Sequence, residues 1–161
     1  MSSIIKVDQI QNTSGTSSLS INSGGIVTRP NVPAFFYGKN TVQTAAGSNE
    51  VVTWDVEWLN NGGHFSSNTF TAPVDGIYSF SVYCLNDSDA NQSDFRLHKN
   101  GSTIVARARN AGTTGYETTS LSALVQLNAT DTMQVILSGS GDVFFGDGNQ
   151  TFSGFMGHLV G

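Results

Sequence analysis

Between Tyr78 and Cys84 the chain alternates without a break: Tyr78, Phe80, Val82 and Cys84 fall on one parity, Ser79, Ser81 and Tyr83 on the other. A period of two places the first set on one face of an extended strand and the second on the opposite face, the pattern of a half-buried strand. The residues upstream prepare it. Asn60-Asn61-Gly62-Gly63 is turn chemistry that tolerates positive φ. Phe70-Thr71-Ala72 is a short extended piece stopped by Pro73, and Pro73-Val74-Asp75-Gly76 reads as a tight turn. By themselves these features describe a hairpin of an antiparallel β protein.

The rest of the chain follows the same grammar. No segment keeps a helical period over three turns, and Gly, Ser, Thr and Asn are abundant while charged residues make up only 12%, about half the usual share. Ala34-Phe35-Phe36-Tyr37 is apolar on both faces, which implies a core on one side and a partner subunit on the other. Thr41 to Ala45 and Glu50 to Trp54 are short strand candidates around the Ala46-Gly47-Ser48-Asn49 turn. Phe95 and Leu97, then Ile104, Ala106 and Ala108, form a hairpin about Asn100-Gly101, a dipeptide favoured in two-residue turns. Pairing about that turn sets Leu97 opposite Ile104, Phe95 opposite Ala106, Arg96 opposite Val105 and Asp94 opposite Arg107. Leu121, Ala123, Val125 and Leu127 give another inward row with Leu124 outward; Met133, Val135 and Leu137 follow. In the last strand Phe152, Met156 and Val160 share one parity, and Phe155 and Leu159 the other.

Phe70, Gly76, Tyr78 and Phe80, separated by five, one and one residues, resemble the signature of the complement C1q globular head, a member of the tumour-necrosis-factor-like jelly rolls. Trp54 stands where that family usually has Phe, Asn60 and Phe65 follow at its spacing, and Gly62-Gly63-His64-Phe65 is similar to it. Asp131 to Val135 and Thr151 to Phe155 resemble its final strands. The gap from Phe65 to Phe70 is two residues shorter than usual, which implies a tighter loop, and Val82 replaces a usual aromatic. The resemblance spans residues 32–161 and implies an all-β, antiparallel jelly-roll β-sandwich of about ten strands. It also implies a homotrimer, because Phe35 or Phe36, Leu124 and Phe155 come from segments that form the trimer core in that family.

Residues 1–31 read as a separate extended segment. Ile4, Val7, Ile10, Leu19 and Ile21 are small apolar islands among Ser, Thr, Asn and Gly, too few to offset the entropy of ordering the segment alone. Lys6 to Gly15, followed by Leu19-Ser20-Ile21-Asn22, resembles the opening of bacteriophage virion and tail-fibre proteins, particularly cyanobacterial ones. That resemblance makes these residues candidate virion anchors; a disordered leader or a linker is the alternative. Arg29-Pro30-Asn31-Val32-Pro33 marks the boundary.

The chemistry that the sequence excludes is broad. A formal net charge of −5 and a pI of about 4.8 argue against nucleic-acid or anionic-membrane binding. The N-terminus lacks the apolar run of a secretory signal, and no stretch is long enough to span a bilayer. Asn86-Asp87-Ser88 and Asn128-Ala129-Thr130 are by-products of composition rather than glycosylation sites. Cys84, the single cysteine, lies on the inward parity and reads as a buried small hydrophobe. His64 and His98 stand alone, and no catalytic motif accompanies them, so the chain reads as non-enzymatic with no cofactor required. Asp142 and Asp147 with Asn149, or Asp87 with Asp89, offer oxygen ligands for calcium, but neither pair follows an EF-hand order and turn residues are the simpler reading.

Four of the seven basic residues, Arg96, Lys99, Arg107 and Arg109, lie on one hairpin. They are either a cationic patch for an anionic glycan or lipopolysaccharide, repeated in each subunit, or a solvated face in which Arg107 pairs with Asp94. The sequence therefore leads to a non-enzymatic virion protein, a trimeric fibre or knob with a host-contacting head and an N-terminal docking segment. The alternatives are a structural capsid or tail decoration subunit and a cellular C1q-like lectin or adhesin.

Overall fold

The computed structural model describes residues 6–86, 92–110, 116–148 and 152–161, which contain strands and turns and no helix. The chain divides into two compact units, Met1–Val32 and Pro33–Gly161.

The first unit is a three-stranded antiparallel sheet of β1 (Gln9–Gln11), β2 (Ser17–Ile21) and β3 (Val27–Thr28). Sequence reasoning gave this segment no order of its own. Two copies of one turn supply it. The Asn12 side-chain oxygen accepts from Ser14 and Thr16 N–H, at 3.0 and 2.9 Å. The Asn22 oxygen repeats this with Gly24 and Ile26, both at 2.9 Å. In each turn the fourth residue is a glycine with positive φ, Gly15 at 83° and Gly25 at 77°, a conformation that strains other residues. The sheet therefore rests on asparagine turns rather than on apolar burial, and Val7, Ile10 and Ile21 remain exposed. Ile4 lies outside the described residues.

The second unit is an antiparallel sandwich. Its strands are β4 (Ala34–Gly38), β5 (Gln43–Thr44), β6 (Glu50–Val51), β7 (Val56–Asn61), β8 (Phe65–Ser66), β9 (Thr69–Thr71) and β10 (Gly76–Asn86). They continue with β11 (Ser93–Lys99), β12 (Thr103–Asn110), β13 (Glu117–Leu127), β14 (Thr132–Leu137), β15 (Val143–Phe144) and β16 (Gly154–Leu159). One sheet has the order β13-β10-β16-β4-β7; the other runs β12-β11-β14-β9-β8 with β6 also on β14, and β15 pairs with β5. The count exceeds the expected ten because four of these strands are only two residues long.

The alternation that organises the sequence also organises the core. Tyr78, Phe80, Val82 and Cys84 are each fully buried, and β13 meets them in register, Tyr78 opposite Val125, Phe80 opposite Ala123 and Val82 opposite Leu121. Phe35 is the hub of an aromatic cluster, its ring centroid 4.8 Å from Phe65, 5.0 Å from Phe70 and 4.8 Å from Phe155. Phe80, Gly157 and Phe35 lie side by side on β10, β16 and β4. The glycine leaves room for both rings, since a Cβ there would lie 2.6 Å from Phe80 and 2.7 Å from Phe35. Asn60 shows what its spacing to Phe65 achieves. Its amide oxygen accepts from Phe65 N–H at 3.1 Å and its amide nitrogen donates to Phe65 C=O at 3.0 Å, fixing the entry to β8. The shortened gap after Phe65 is a tight hairpin in which Ser67 and Asn68 both take positive φ.

One register differs from expectation. Asn100 and Gly101 form the anticipated turn with φ of 53° and 72°, but the ladder restarts at Lys99 opposite Thr103 and a bulge follows between Leu97 and His98. Leu97 therefore faces Ala106, Phe95 faces Ala108, Arg96 faces Arg107 and Asp94 faces Arg109. The slip is two residues from Leu97 back to Asp94, which keeps those pairs on their expected faces, but only one at His98 and Lys99, so Ile104, expected inward opposite Leu97, lies opposite His98 and is 51% exposed.

Candidate functional site

Two outer faces and one end of the sandwich carry the candidate chemistry. The outer face of the β13-β10-β16-β4-β7 sheet carries several exposed apolar side chains. Ser81, Met156, Phe36 and Leu59 form a row across four of its strands, and Ser79 lies between Leu124 and His158. Leu124 is 71% exposed, Trp58 60% and Leu59 47%, and the Phe36 and Trp58 rings stack at 6.5 Å. Of the residues expected to meet a partner, Phe36 and Leu124 lie on this face. Phe35 and Phe155 do not: they are 2% and 0% exposed and belong to the core. The correction follows from parity. In Phe35-Phe36 only one ring can point inward, and the hub position shows that it is Phe35. Trp58 and Leu59, by contrast, were not singled out; their strand follows a bulge at Phe36/Tyr37 that disturbs simple alternation.

The same sheet edge holds a polar cluster. The Tyr37 hydroxyl donates to the Glu57 carboxylate and accepts from Asn60 at 3.0 Å. Burial, followed by the adjoining Glu57 carboxylate, pushes the phenol up to about 12.

The opposite sheet carries the cationic hairpin. Arg107 makes a two-pronged contact with Asp94, its Nε 2.8 Å from Oδ1 and its Nη2 on Oδ2. Asp94 is almost fully buried and also accepts from the Ser138 hydroxyl at 2.8 Å. Hydrogen bonding from Arg107 holds its carboxyl below the usual aspartate range. Arg109 Nε lies 3.8 Å from the same carboxylate and its Nη2 donates to Gln92 at 2.8 Å. Lys99 turns to the far end of the strand, 2.8 Å from Asp131. Hydrogen bonds from Asn100, then from Lys99, lower that carboxyl to about 2. Arg96 meets Asn49 at 3.3 Å. The four basic residues thus share a hairpin, but three of them lean on carboxylates, and Lys99 is separated from the arginines.

At one end of the sandwich Leu85, Tyr116, Thr118, Phe145, Asp147 and Phe152 line a cavity of about 560 Å³. Its rings come from distant parts of the sequence, Phe145 lying 6.0 Å from Tyr116 and 5.8 Å from Phe152. Asp147 sits at this cavity. Asp142 is wholly buried, accepts from Gly139 N–H at 2.6 Å, and its carboxyl is pushed up by burial. Among the described residues no three His, Cys, Asp or Glu side chains gather as a metal site. Asp87, Asp89 and Asn149 lie outside the described residues.

The C1q domain profile matches residues 34–160, almost the whole of the second unit. The chain belongs to the C1q domain family. Solved structures agree in fold. The globular domain of zebrafish complement 1qA protein has a TM-score of 0.65 and 17% identity, covering 80% of this chain and 98% of that one. Eiger TNF from S. frugiperda gives 0.64 at 12% identity, covering 83% and 94%. Murine APRIL at pH 5.0 gives 0.60 at 12%, covering 80% and 98%. No match is found among curated protein sequences. C1q and tumour-necrosis-factor-like domains are generally binding or structural modules and typically homotrimers.

Proposed function

We propose that this C1q-like chain is a non-enzymatic virion protein, a homotrimeric fibre or knob whose head contacts the host surface. The observation that carries the trimer is the outer face of the β13-β10-β16-β4-β7 sheet. Leu124, Trp58 and Leu59 are exposed large apolar side chains on this one sheet, and apolar side chains exposed together favour association. Self-association through it would cover Phe36, Met156 and Leu124 while leaving the cationic hairpin on the other sheet open to a ligand.

The virion assignment is supported by the resemblance of residues 6–22 to virion proteins and by the first unit itself. Val7, Ile10 and Ile21 are exposed there, as docking strands awaiting a partner would be, and Leu19 is half-buried opposite Ile10. Light scattering on the purified chain should give three times 17.0 kDa; a stable 17.0 kDa species at micromolar concentration would reject the trimer. Particle cryo-microscopy or immunogold should place the protein on virions, and a variant beginning at Val32 should remain trimeric yet fail to join them. Purified head should slow adsorption to the host; no effect would leave a decoration subunit as the role.

A further inference from the structure

The registers of the five-stranded sheet define two ends of the second unit. At one end the chain enters β4 at Ala34, opposite His158, and β10 starts with Gly76 opposite Leu127. At the other, Gly38 meets Gly154 and Asn86 meets Glu117. The cavity of about 560 Å³ lies at this second end, opposite the junction with residues 1–32, and its volume is ordinary for a ligand site. Its lining side chains are open to solvent: Tyr116 is 64% exposed, Phe145 and Phe152 are half-buried and Asp147 is exposed. The rings are inclined, Tyr116 at 63° to Phe145 and Phe145 at 47° to Phe152, so they make angled walls rather than a flat stack. Leu85 adds to the apolar lining, and among the described lining side chains only the Tyr116 and Thr118 hydroxyls and the Asp147 carboxylate are polar. The surrounding charge has one sign. Residues 110–161 contain no lysine or arginine, and Glu117 adds a second acid beside Tyr116. Arg109, the nearest arginine in the sequence, is drawn to Asp94 and Gln92 on the other sheet.

We infer that this cavity binds a trimethylammonium group, the cationic head of choline-type compounds. Aromatic faces attract a cation through the ring quadrupole, more strongly as water is excluded, and the Asp147 carboxylate supplies the opposite charge. The scarcity of hydrogen-bonding groups selects among cations. A primary ammonium brings three N–H donors and a guanidinium five; each loses water on entry, and the lining offers few acceptors to replace it. A quaternary ammonium has no N–H to satisfy, and its methyl groups spread the charge over a surface that the three rings and Leu85 cover. A neutral sugar needs several convergent polar groups, and an anion meets a field of its own sign. This deepens the host-contact reading and rests on it only for the source of the group. The cavity is at the end of the head opposite the junction with the anchoring segment, and three copies on a trimer would add avidity to a weak single contact.

The test is titration of the full chain with choline, with its neutral carbon isostere 3,3-dimethylbutanol and with ethanolamine, followed by ligand-observed nuclear magnetic resonance. Choline should bind about tenfold or more tightly than either comparison compound. Tyr116→Ala, at an exposed position that does not threaten folding, should weaken choline about fivefold or more, and Tyr116→Phe should restore it, because the ring face and not the hydroxyl makes the contact. Asp147→Asn should weaken choline while leaving the isostere within about twofold. Absence of saturable choline binding up to about 10 mM, equal binding of the isostere, or wild-type affinity in both Tyr116→Ala and Asp147→Asn would overturn the inference. Sedimentation with phosphatidylcholine vesicles then separates the sources: co-sedimentation that free choline competes away assigns a lipid headgroup, and choline binding without it assigns a soluble or polymer-borne group. Titration reads the cavity and host adsorption reads the biological role, so the two proposals fail separately.

Discussion

Replacing Leu124 with alanine probes the apolar sheet face at its most exposed point. The side chain is 71% accessible in the single chain, and full burial of a leucine side chain is worth about 1.5–3 kcal/mol. Covering the exposed part therefore contributes about 1–2 kcal/mol per subunit, or about 3–6 kcal/mol in a trimer where all three copies are buried. That corresponds to a factor of about 10² to 10⁴ in the trimer dissociation constant. Because the midpoint concentration of a monomer–trimer equilibrium varies as the square root of that constant, it should rise about 10- to 100-fold. Sedimentation equilibrium across a concentration series measures this directly, with circular dichroism to verify the fold. Ile104→Ala is the control: it removes a side chain that is 51% exposed on the opposite sheet and should leave the midpoint where it was. If Leu124→Ala stays folded and associates at the wild-type concentration, or if the control shifts equally, the assigned face is wrong.

Gly157→Ala should destabilise the head by about 1–3 kcal/mol, read by urea unfolding through the buried Trp54; Phe80→Leu in the same chain should recover part of the loss, and a neutral Gly157→Ala would contradict the packing described. Asp94 has a lowered folded-state pKa, so its stabilisation is present above its unfolded value of about 3.9 and disappears as pH falls through the folded value. Asp94→Asn should accordingly lower the melting temperature at neutral pH and flatten its fall in acid; a curve parallel to wild type would remove Asp94 from the acid limb. Burial raises the Cys84 thiol to about 11, and maleimide at about pH 8 should label it only after unfolding, whereas rapid native labelling, followed by mass spectrometry, would mean that the strand opens locally.

The alternation from Tyr78 to Cys84 and the Leu121 to Leu127 row were enough to specify inward faces, because side-chain direction in a strand is a local property with a period of two, whereas the pairing about Asn100-Gly101 was not, because the bulge at Leu97/His98 turns Ile104 outward. The jelly-roll class was legible through the resemblance to the C1q head, of which Asn60 and Phe65 are part, but the hydrogen bonds by which Asn60 holds Phe65 were not. The order in the first unit was hidden because it depends on Asn12 and Asn22 accepting from main-chain groups two and four residues away, which hydrophobic patterning does not register. In Phe35-Phe36 and Phe155-Met156 both parities are apolar, so the local signal is degenerate. Only packing against Phe65, Phe70 and Phe80 decides that Phe35 and Phe155 go inward and that Phe36 and Met156 are left on the sheet's outer face. The surroundings of His98 and Arg96 are likewise a product of tertiary structure: a bulge and the Gly101 carbonyl come from their own hairpin, but the neighbouring Ile136 comes from β14. Period and spacing decide what a residue faces along its own strand, whereas which groups remain without partners is known only once every strand has been paired.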